Sequence, residues 1–570
     1  MIPASDDTAT AELLTRAREW LAHDPDPLTR AELTSLIEGV QCGADGVLSD
    51  LTSRFAGPLG FGTAGLRGAV GAGESRMNVA VVTAATAGLA SYLRQRVGTE
   101  ARVVVGCDAR NGSREFAAAT AEVLSAAGHV ALVLPPRLPT PITAYAVRAL
   151  GADAGVMITA SHNPPADNGY KVYLGGRATD EHGRGVQIVA PADVEIAACI
   201  AAMPPADEIP RDTARIRQVG AELVAEYVAR MASHRSSADP SPVSVVLTPM
   251  HGVGGAVAMA VLAAAGIGAV HPVAEQFEPD PNFPTVAFPN PEEPGALDLA
   301  LATAQRTDAD VIIALDPDAD RCSVAIPLRA GGWRQLTGDE IGALLGEQAA
   351  RDDSRAGDVL ACSVVSSRLL ARIAAEYGLR WASTLTGFKW IARVPGLRFG
   401  YEEAIGYCTD PEAVADKDGI GAMVRVITLV EELARAGATL EDQLDDLARR
   451  HGLYATDQLS FRVDDIAEIA AAMELARSQG ISVLAGSPVT ESRDLSEGSV
   501  DLPPTDGLLY LTAADDRVVI RPSGTEPKLK CYLEVILPVT AEVPRTAAQV
   551  RLDEIKTDLA AALGFPPPAA

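Results

Sequence analysis

Short runs of branched and small apolar residues recur along this chain, and each breaks off into a polar loop. Ala154-Gly-Val-Met-Ile158 and Val311-Ile-Ile-Ala-Leu315 are the clearest examples. Runs of this length without alternation fit strands buried on both faces, as parallel sheets require. Helical segments alternate with them. The pattern predicts a helix at 79–96, a strand at 102–106, a helix at 113–127, a strand at 130–134, a helix at 142–150 and the strand at 154–158. It restarts with a strand at 243–247, the loop Thr248-Pro-Met-His-Gly-Val-Gly-Gly255, an alanine-rich helix and the strand at 311–315. It restarts again at 359–362, with a helix at 366–377, a strand near Trp381 and Arg398-Phe-Gly-Tyr401. Such alternation implies three similar α/β units with mixed, mostly parallel sheets. From about Thr456 the rhythm changes to a strand, a helix at 466–478, close-set strands at 508–512, 517–521 and 529–535, and a final helix. Close spacing favours antiparallel pairing and a separate α+β domain. Residues 1–50 read as one or two amphipathic helices, broken at Asp24-Pro-Asp-Pro27. The expected domains are 1–240, 241–336, 337–456 and 457–570.

In open α/β sheets, ligand sites form where strands end at the carboxyl edge. Three such ends carry chemistry here. Thr159-Ala-Ser-His-Asn-Pro-Pro-Ala-Asp-Asn-Gly-Tyr-Lys171 places Ser161, a potential covalent carrier, near His162 and Lys171, sources of protons or positive charge. Asp316-Pro-Asp-Ala-Asp-Arg321 alternates three carboxylates over five positions. Their mutual repulsion calls for a cation, and oxygen donors suit Mg²⁺ or Ca²⁺. An EF-hand is excluded, because Arg321 and Pro327 stand where that motif needs Gly and Glu. Arg321 beside the carboxylates makes sense if an anion binds there too. The third end is Gly400-Tyr-Glu-Glu-Ala-Ile-Gly406, followed by Asp416-Lys-Asp-Gly419, whose carboxylates suit sugar hydroxyls. Thr384-Leu-Thr-Gly-Phe-Lys389 is a further polar strand end. In the last domain, Arg521-Pro-Ser-Gly-Thr-Glu-Pro-Lys528 gathers a guanidinium, two hydroxyls, an ammonium and backbone amides, the parts of a phosphate nest. Arg67, in the glycine-rich stretch Gly60-Phe-Gly-Thr-Ala-Gly-Leu-Arg-Gly68, can also reach an anion.

Composition narrows the partners. The 570 residues include 48 basic and 75 acidic side chains, a formal charge of −27, which repels nucleic acid. Any phosphate ligand must therefore be held by local basic groups. Seven cysteines without a C-x-x-C pair fit free thiols of a reducing compartment. The N-terminal residues show no signal peptide, and the longest uncharged apolar run, 256–270, is too short for a membrane span. The expectation is a cytoplasmic protein without a membrane partner.

Taken together, TASHNP, DPDADR, GYEEAIG and RPSGTEPKLK, in this order and spacing, resemble the phosphoglucomutase/phosphomannomutase family of α-D-phosphohexomutases, from about residue 45 to the end. FGTAGLRG, PNPEEPG and GYEEAIGY…DKDG are most similar to the longer phosphoglucomutase-2 and phosphopentomutase-like branch. The resemblance implies four domains around one central cleft and a Mg²⁺ ion held by phosphorylated Ser161, Asp316, Asp318 and Asp320. It implies transfer of the phosphoryl group from Ser161 to a hexose phosphate, such as glucose 1-phosphate or mannose 1-phosphate, through a bisphosphate that turns around and returns its other phosphate. Glucose 1,6-bisphosphate or an equivalent is the implied activator. Lys171 matches the general acid/base, His162 arranges the serine loop and Arg67 supports transfer. Arg321, Thr386, Lys389, Glu402, Glu403 and Lys417 are expected on the sugar phosphate, and Arg521, Ser523, Gly524, Thr525 and Lys528 on the phosphate not being transferred. A monomer or homodimer is expected, with the last domain swinging to close the cleft.

One position departs from the family pattern. Ala404 stands where many members carry serine, removing a hydrogen bond worth ~0.5–1.5 kcal/mol and leaving Glu402 as the main carboxylate for the sugar. A phosphopentomutase thus stands beside the hexose reading, and within the same chemistry so does a glucose 1,6-bisphosphate synthase using another phosphoryl donor. A sugar phosphatase would need an open cleft that admits water.

Overall fold

The computed structural model describes residues 4–352, 354–463, 465–500, 502–523 and 528–566. The chain forms two compact units, Met1–Gln335 with Gly406–Glu431, and Leu336–Ile405 with Glu432–Ala570.

The first unit begins with three helices, Ala4–His23, Pro27–Gln41 and Val47–Arg54, one more than the sequence pattern predicts. Asp26 caps the second by accepting from Leu28 N, with Pro27 at its first position, so the predicted break is a helix start. Leu33, Ile37, Leu51 and Phe55 bury the shared apolar face. Glu32 then ties this layer to the chain leaving Arg67, accepting from Ala72 N at 2.9 Å.

Two sheets follow. In the first the order is Leu66–Ala69, Asp167–Leu174, Ala154–Ile158, Arg102–Cys107, Val130–Val133 and Ile216–Gln218, with Val186–Gln187 beside Asp167–Leu174. The pairs from Ala154–Ile158 through Ile216–Gln218 are parallel, and the two strands at the other edge pair antiparallel. The second sheet runs Trp333–Gln335, Cys322–Pro327, Val311–Leu315, Val245–Thr248 and Val270–Pro272. Its last three strands are parallel and Cys322–Pro327 is antiparallel. Ala154–Ile158 and Val311–Leu315 are buried at every position, as their uninterrupted apolar sequence requires.

Both sheets share one device. A buried parallel strand ends, the chain makes a polar loop through one left-handed residue, and an antiparallel strand carries it back. Ser161 has φ +51° in the first sheet and Ala319 φ +55° in the second. The return strand Asp167–Leu174 corrects the reading of 159–171 as one loop: Lys171 is a strand residue paired with Met157. Leu66–Ala69 likewise makes Arg67 a strand residue, opposite Gly169. Glycine in and around both strands, with Asn168 in the first, conceals them, because pairing with neighbours creates them.

In the second unit, Arg380–Thr384, Val359–Ser363 and Leu397–Glu402 form a parallel sheet. Helix Gly338–Arg351 beside it starts with a reciprocal Thr337/Glu340 capping box. The other sheet is an antiparallel meander in the order Leu453–Arg462, Lys528–Leu537, Arg517–Pro522, Leu508–Thr512, Ser487–Asp494 and Val483–Leu484. Ser487–Asp494 was not legible as a strand; Pro488 and its polar residues suit a position near the sheet edge. Residues from helices Ile466–Gln479 and Arg545–Ala562 share one core with this sheet. Elsewhere, Val519 and Tyr532 pack with Val364 and Val365. Glu534, fully buried, accepts from Ser367 Oγ, Arg368 N and Arg368 Nε at 2.5–2.8 Å.

Candidate active site

At the carboxyl ends of Ala154–Ile158 and Val311–Leu315, the first unit brings the serine loop onto the three carboxylates. Ser161 Oγ donates to Asp316 Oδ2 at 2.8 Å. His162 Nδ1 lies 3.4 Å from the same hydroxyl, and its ring is 6.4 Å from that of Phe288. Lys171 Nζ donates to Asp318 Oδ2 and Asp320 Oδ2, both at 2.9 Å. Thr140 Oγ1 adds a bond to Asp318 Oδ2 at 2.7 Å. Arg67 Nη1 donates to Asn163 Oδ1 at 3.1 Å. Lys417 Nζ lies 3.4 Å from Asp320 Oδ2, and Arg321 N donates to Asp316 Oδ1 at 3.0 Å. Ser161, His162, Lys171, Arg67, Arg321, Lys417 and the three aspartates thus meet in one neighbourhood.

Its electrostatics follow from burial against charge. All three aspartates are 0–1 % exposed. Burial, together with the charges of Asp318 and Asp320, drives the Asp316 carboxyl well above the usual carboxylate range. Burial works the same way on Asp318 but is overcome by Lys171 and Thr140, which hold that group low. At Asp320, burial and Asp318 are overcome by Lys171, Lys417 and Arg321, and the carboxyl is lowered. Burial disfavours the Lys171 ammonium, yet Asp318 and Asp320 outweigh it and raise the group. His162 is pushed well below the usual imidazole value by burial and by Arg321 and Arg67, so its ring is neutral.

Asp316, Asp318 and Asp320 are the residues, among those described, whose carboxylate oxygens cluster within 4.8 Å in a form that can hold a metal ion. Asp318 Oδ1 and Asp320 Oδ1 are buried and accept no hydrogen bond. Buried acceptors without donors, all of them hard oxygen atoms, fit Mg²⁺.

Several positioning groups escaped the sequence reading. Asp108 and Arg110 follow the strand Arg102–Cys107, another carboxyl-edge end, which is the signal that could have found them. Arg110 Nη2 donates to the carbonyls of Ser161 and Asn163, and Nη1 to those of Pro164 and Asp167. Thr159 Oγ1 accepts from Ser161 N at 2.9 Å. Gly419 N donates to Ala319 O, setting the chain two residues past Lys417 against the aspartate loop.

The other predicted residues lie in the second unit. Thr386, Lys389, Glu402 and Glu403 all follow or end strands at the carboxyl edge of its parallel sheet. Glu403 Oε2 accepts from Ser363 Oγ at 2.9 Å and Ser366 Oγ at 3.1 Å, and Glu402 is buried. Arg521 lies near the end of Arg517–Pro522, and Ser523 N donates to Lys528 O at 2.8 Å to close the hairpin. Gly524 and Thr525 lie outside the described residues. Burial and Glu403 raise the Tyr532 phenol, Arg521 opposes, and Glu402 adds to the rise.

Comparison with known proteins agrees with this geometry. Four phosphoglucomutase/phosphomannomutase profiles match in order: alpha/beta/alpha domain I at 58–195, domain II at 225–329, domain III at 337–451 and the C-terminal domain at 461–551. A probable phosphomannomutase of Haemophilus influenzae is 44% identical over 461 residues, 80% of this chain and 93% of that protein. A probable phosphoribomutase of Schizosaccharomyces pombe is 34% identical, covering 90% and 92%. The phosphopentomutase of Homo sapiens is 33% identical, covering 93% and 92%. The solved structure of a putative phosphomannomutase from Thermus thermophilus shares the fold, with a TM-score of 0.65, 24% identity and coverage of 87% and 98%. A phosphoglucomutase/phosphomannomutase family protein from Burkholderia thailandensis does so with a TM-score of 0.67, 21% identity and coverage of 89% and 99%. The three α/β domains, the C-terminal domain and these matches together establish that the chain belongs to the phosphoglucomutase/phosphomannomutase family of phosphosugar mutases, which are isomerase-type phosphotransferases.

Proposed function

We propose that this enzyme moves a phosphoryl group between C1 and C6 of a hexose phosphate, glucose or mannose, through phosphorylated Ser161 and a sugar bisphosphate. The observation that carries the reading is the hydroxyl of Ser161 held 2.8 Å from one of three buried, clustered carboxylates. In the forward half-reaction the bond between Ser161 Oγ and phosphorus breaks, and a new bond forms between phosphorus and a sugar hydroxyl oxygen. Lys171, held as the ammonium by Asp318 and Asp320, gives a proton to the departing Ser161 Oγ and takes one back from the attacking sugar hydroxyl, so that no net proton is gained or lost. The bisphosphate then turns around and the steps reverse with its other phosphate. Asp316, Asp318, Asp320 and Ser161 would hold Mg²⁺, which supplies charge neutralisation for the transferring group. Arg67, Arg321 and Lys417 supply further positive charge, and the neutral His162 orients the serine.

In the second unit we assign Thr386, Lys389, Glu402 and Glu403 to the sugar. Arg521, Ser523, Gly524, Thr525 and Lys528 are assigned to the phosphate at rest. The segments 1–240, 241–336, 337–456 and 457–570 would each contribute one of these loops. A sugar bisphosphate such as glucose 1,6-bisphosphate reloads Ser161. We place the enzyme in the cytoplasm, as a monomer or homodimer.

A second reading, a phosphopentomutase acting on ribose or deoxyribose phosphate, is supported by Ala404 and by relatives named phosphopentomutase and phosphoribomutase that align over nine-tenths of the chain. Glucose 1-phosphate, mannose 1-phosphate and ribose 1-phosphate, offered separately with Mg²⁺ and a trace of glucose 1,6-bisphosphate, decide between them. Faster turnover of a hexose supports the first reading and of ribose the second. Free phosphate as the main product would sink both. Ser161→Ala should lower turnover by ~10³-fold or more, since it removes the phosphoryl carrier itself.

A further inference from the structure

We propose that Arg110 is a positioning residue for phosphoryl transfer, casting the serine loop into the conformation that aims Ser161 at the aspartates. The inference rests on the reading of Ser161 as the phosphoryl carrier. Ser161 adopts φ +51°, a left-handed conformation that a serine does not favour by itself. Something must therefore hold it. The Arg110 side chain is 2 % exposed, and its two terminal nitrogens donate to four carbonyls of one loop: Ser161 at 2.6 Å, Asn163 at 2.7 Å, Pro164 at 2.9 Å and Asp167 at 3.1 Å. Two nitrogens carry four N–H groups, so each carbonyl can receive its own donor. The fifth N–H, on Nε, faces Asp108 Oδ2 at 3.5 Å.

Arg110 is itself held in place. Asp108 Oδ1 accepts from Arg110 N at 2.9 Å and from Ser113 Oγ at 2.6 Å, fixing the turn from which the side chain springs. The ring of Phe283 covers the guanidinium at 5.0 Å. Phe283 comes from the proline-rich segment 277–294, which also brings Phe288 to His162. That segment thus backs the serine loop at two points, one through Arg110 and one through the histidine. A lysine, with three donors on a single nitrogen, cannot span four carbonyls set along seven residues.

The experiment compares Arg110→Lys, Arg110→Ala and Phe283→Leu with the wild-type chain. Ser161 loading from glucose 1,6-bisphosphate is followed in a single turnover by intact-protein mass spectrometry, alongside steady-state kcat and KM. For Arg110→Lys we expect loading and kcat to fall ~30-fold or more while KM stays within about threefold, the mark of lost alignment and not of lost substrate binding. Guanidinium added to Arg110→Ala should restore loading severalfold and leave Arg110→Lys unchanged. Phe283→Leu keeps the guanidinium and should slow loading by a smaller factor, so it still tests the inference if the arginine variants do not fold. Wild-type loading rates in Arg110→Lys or in Phe283→Leu, or a raised KM at unchanged kcat, would overturn the proposal. Absence of any phosphoryl group on Ser161 in the wild-type chain would instead refute the carrier role on which it rests.

Discussion

Lys171 reaches two aspartates with one nitrogen, and its neighbours make the cluster tolerable in a buried site. Removing it leaves Asp318 and Asp320 without their nearest cation, and unpaired buried charge is strongly destabilising. Lys171→Met is expected to lower turnover by ~10²–10⁴-fold through loss of proton handling. A kcat within a few-fold of wild type would remove Lys171 from the mechanism. A second buried carboxyl, Asp339, sits at the start of helix Gly338–Arg351 and accepts from Ser367 N at 2.6 Å and the Tyr401 hydroxyl at 2.9 Å. Burial raises it to about 6, Ser367 opposes and nearby Glu403 adds to the rise. The folded state therefore binds this proton more tightly than the unfolded chain does. Its contribution is fully present below the unfolded value near 4 and is lost as pH rises through about 6. Asp339→Asn should thus gain ~2–3 kcal/mol relative to wild type between pH 4 and 7.5 in urea unfolding. An equal stability difference at both pH values would show that Asp339 ionises normally.

At the level of elements, the site depends on two strand–loop–strand units and on backbone packed against them. Gly419 opens helix Gly419–Arg435 where a Cβ would meet Arg321 O at 2.3 Å and Ala319 O at 2.8 Å. Gly419→Ala must therefore push the aspartate loop away, and we expect Mg²⁺ half-saturation to rise ~10-fold, because displaced ligands lose affinity. Titrating Mg²⁺ against thermal stability reads this directly; an unchanged midpoint would mean that the loop yields without consequence. Thr337→Ala, by contrast, removes the hydroxyl half of a capping box in the second unit and should cost about 1 kcal/mol with no change in Mg²⁺ affinity. A coupled loss of Mg²⁺ affinity would contradict that separation.

For the molecule as a whole, the aspartate cluster belongs to one unit and the strands Arg517–Pro522 and Lys528–Leu537 to the other, each with its own buried core. Hydrogen exchange with and without Mg²⁺ should accordingly slow in 159–171 and 316–321, while Leu508–Thr512 and Lys528–Leu537 remain as before, since a ligand protects the elements it binds. Equal protection in both units would refute this. What could be read in advance followed the same division between local and distant causes. Ala154–Ile158 and Val311–Leu315 were legible because a strand buried on both faces must be apolar throughout. Ser161 and the aspartates were legible as candidates because ligand sites of open α/β sheets form in the loops that end such strands. Return strand Asp167–Leu174, strand Leu66–Ala69 and the reach of Arg110 across more than fifty residues were not. Their formation depends on partners distant in sequence, and no periodicity records them. Residue order by itself determined the α/β repetition, the family and the candidate loops, because burial and strand-end chemistry leave local patterns. Only the tertiary structure decided which atoms meet: Ser161 with Asp316, Lys171 between two carboxylates, Arg110 beneath four carbonyls. Those contacts arise when separate strands pair and their loops pack, and hydrogen bonds between distant groups are fixed only then.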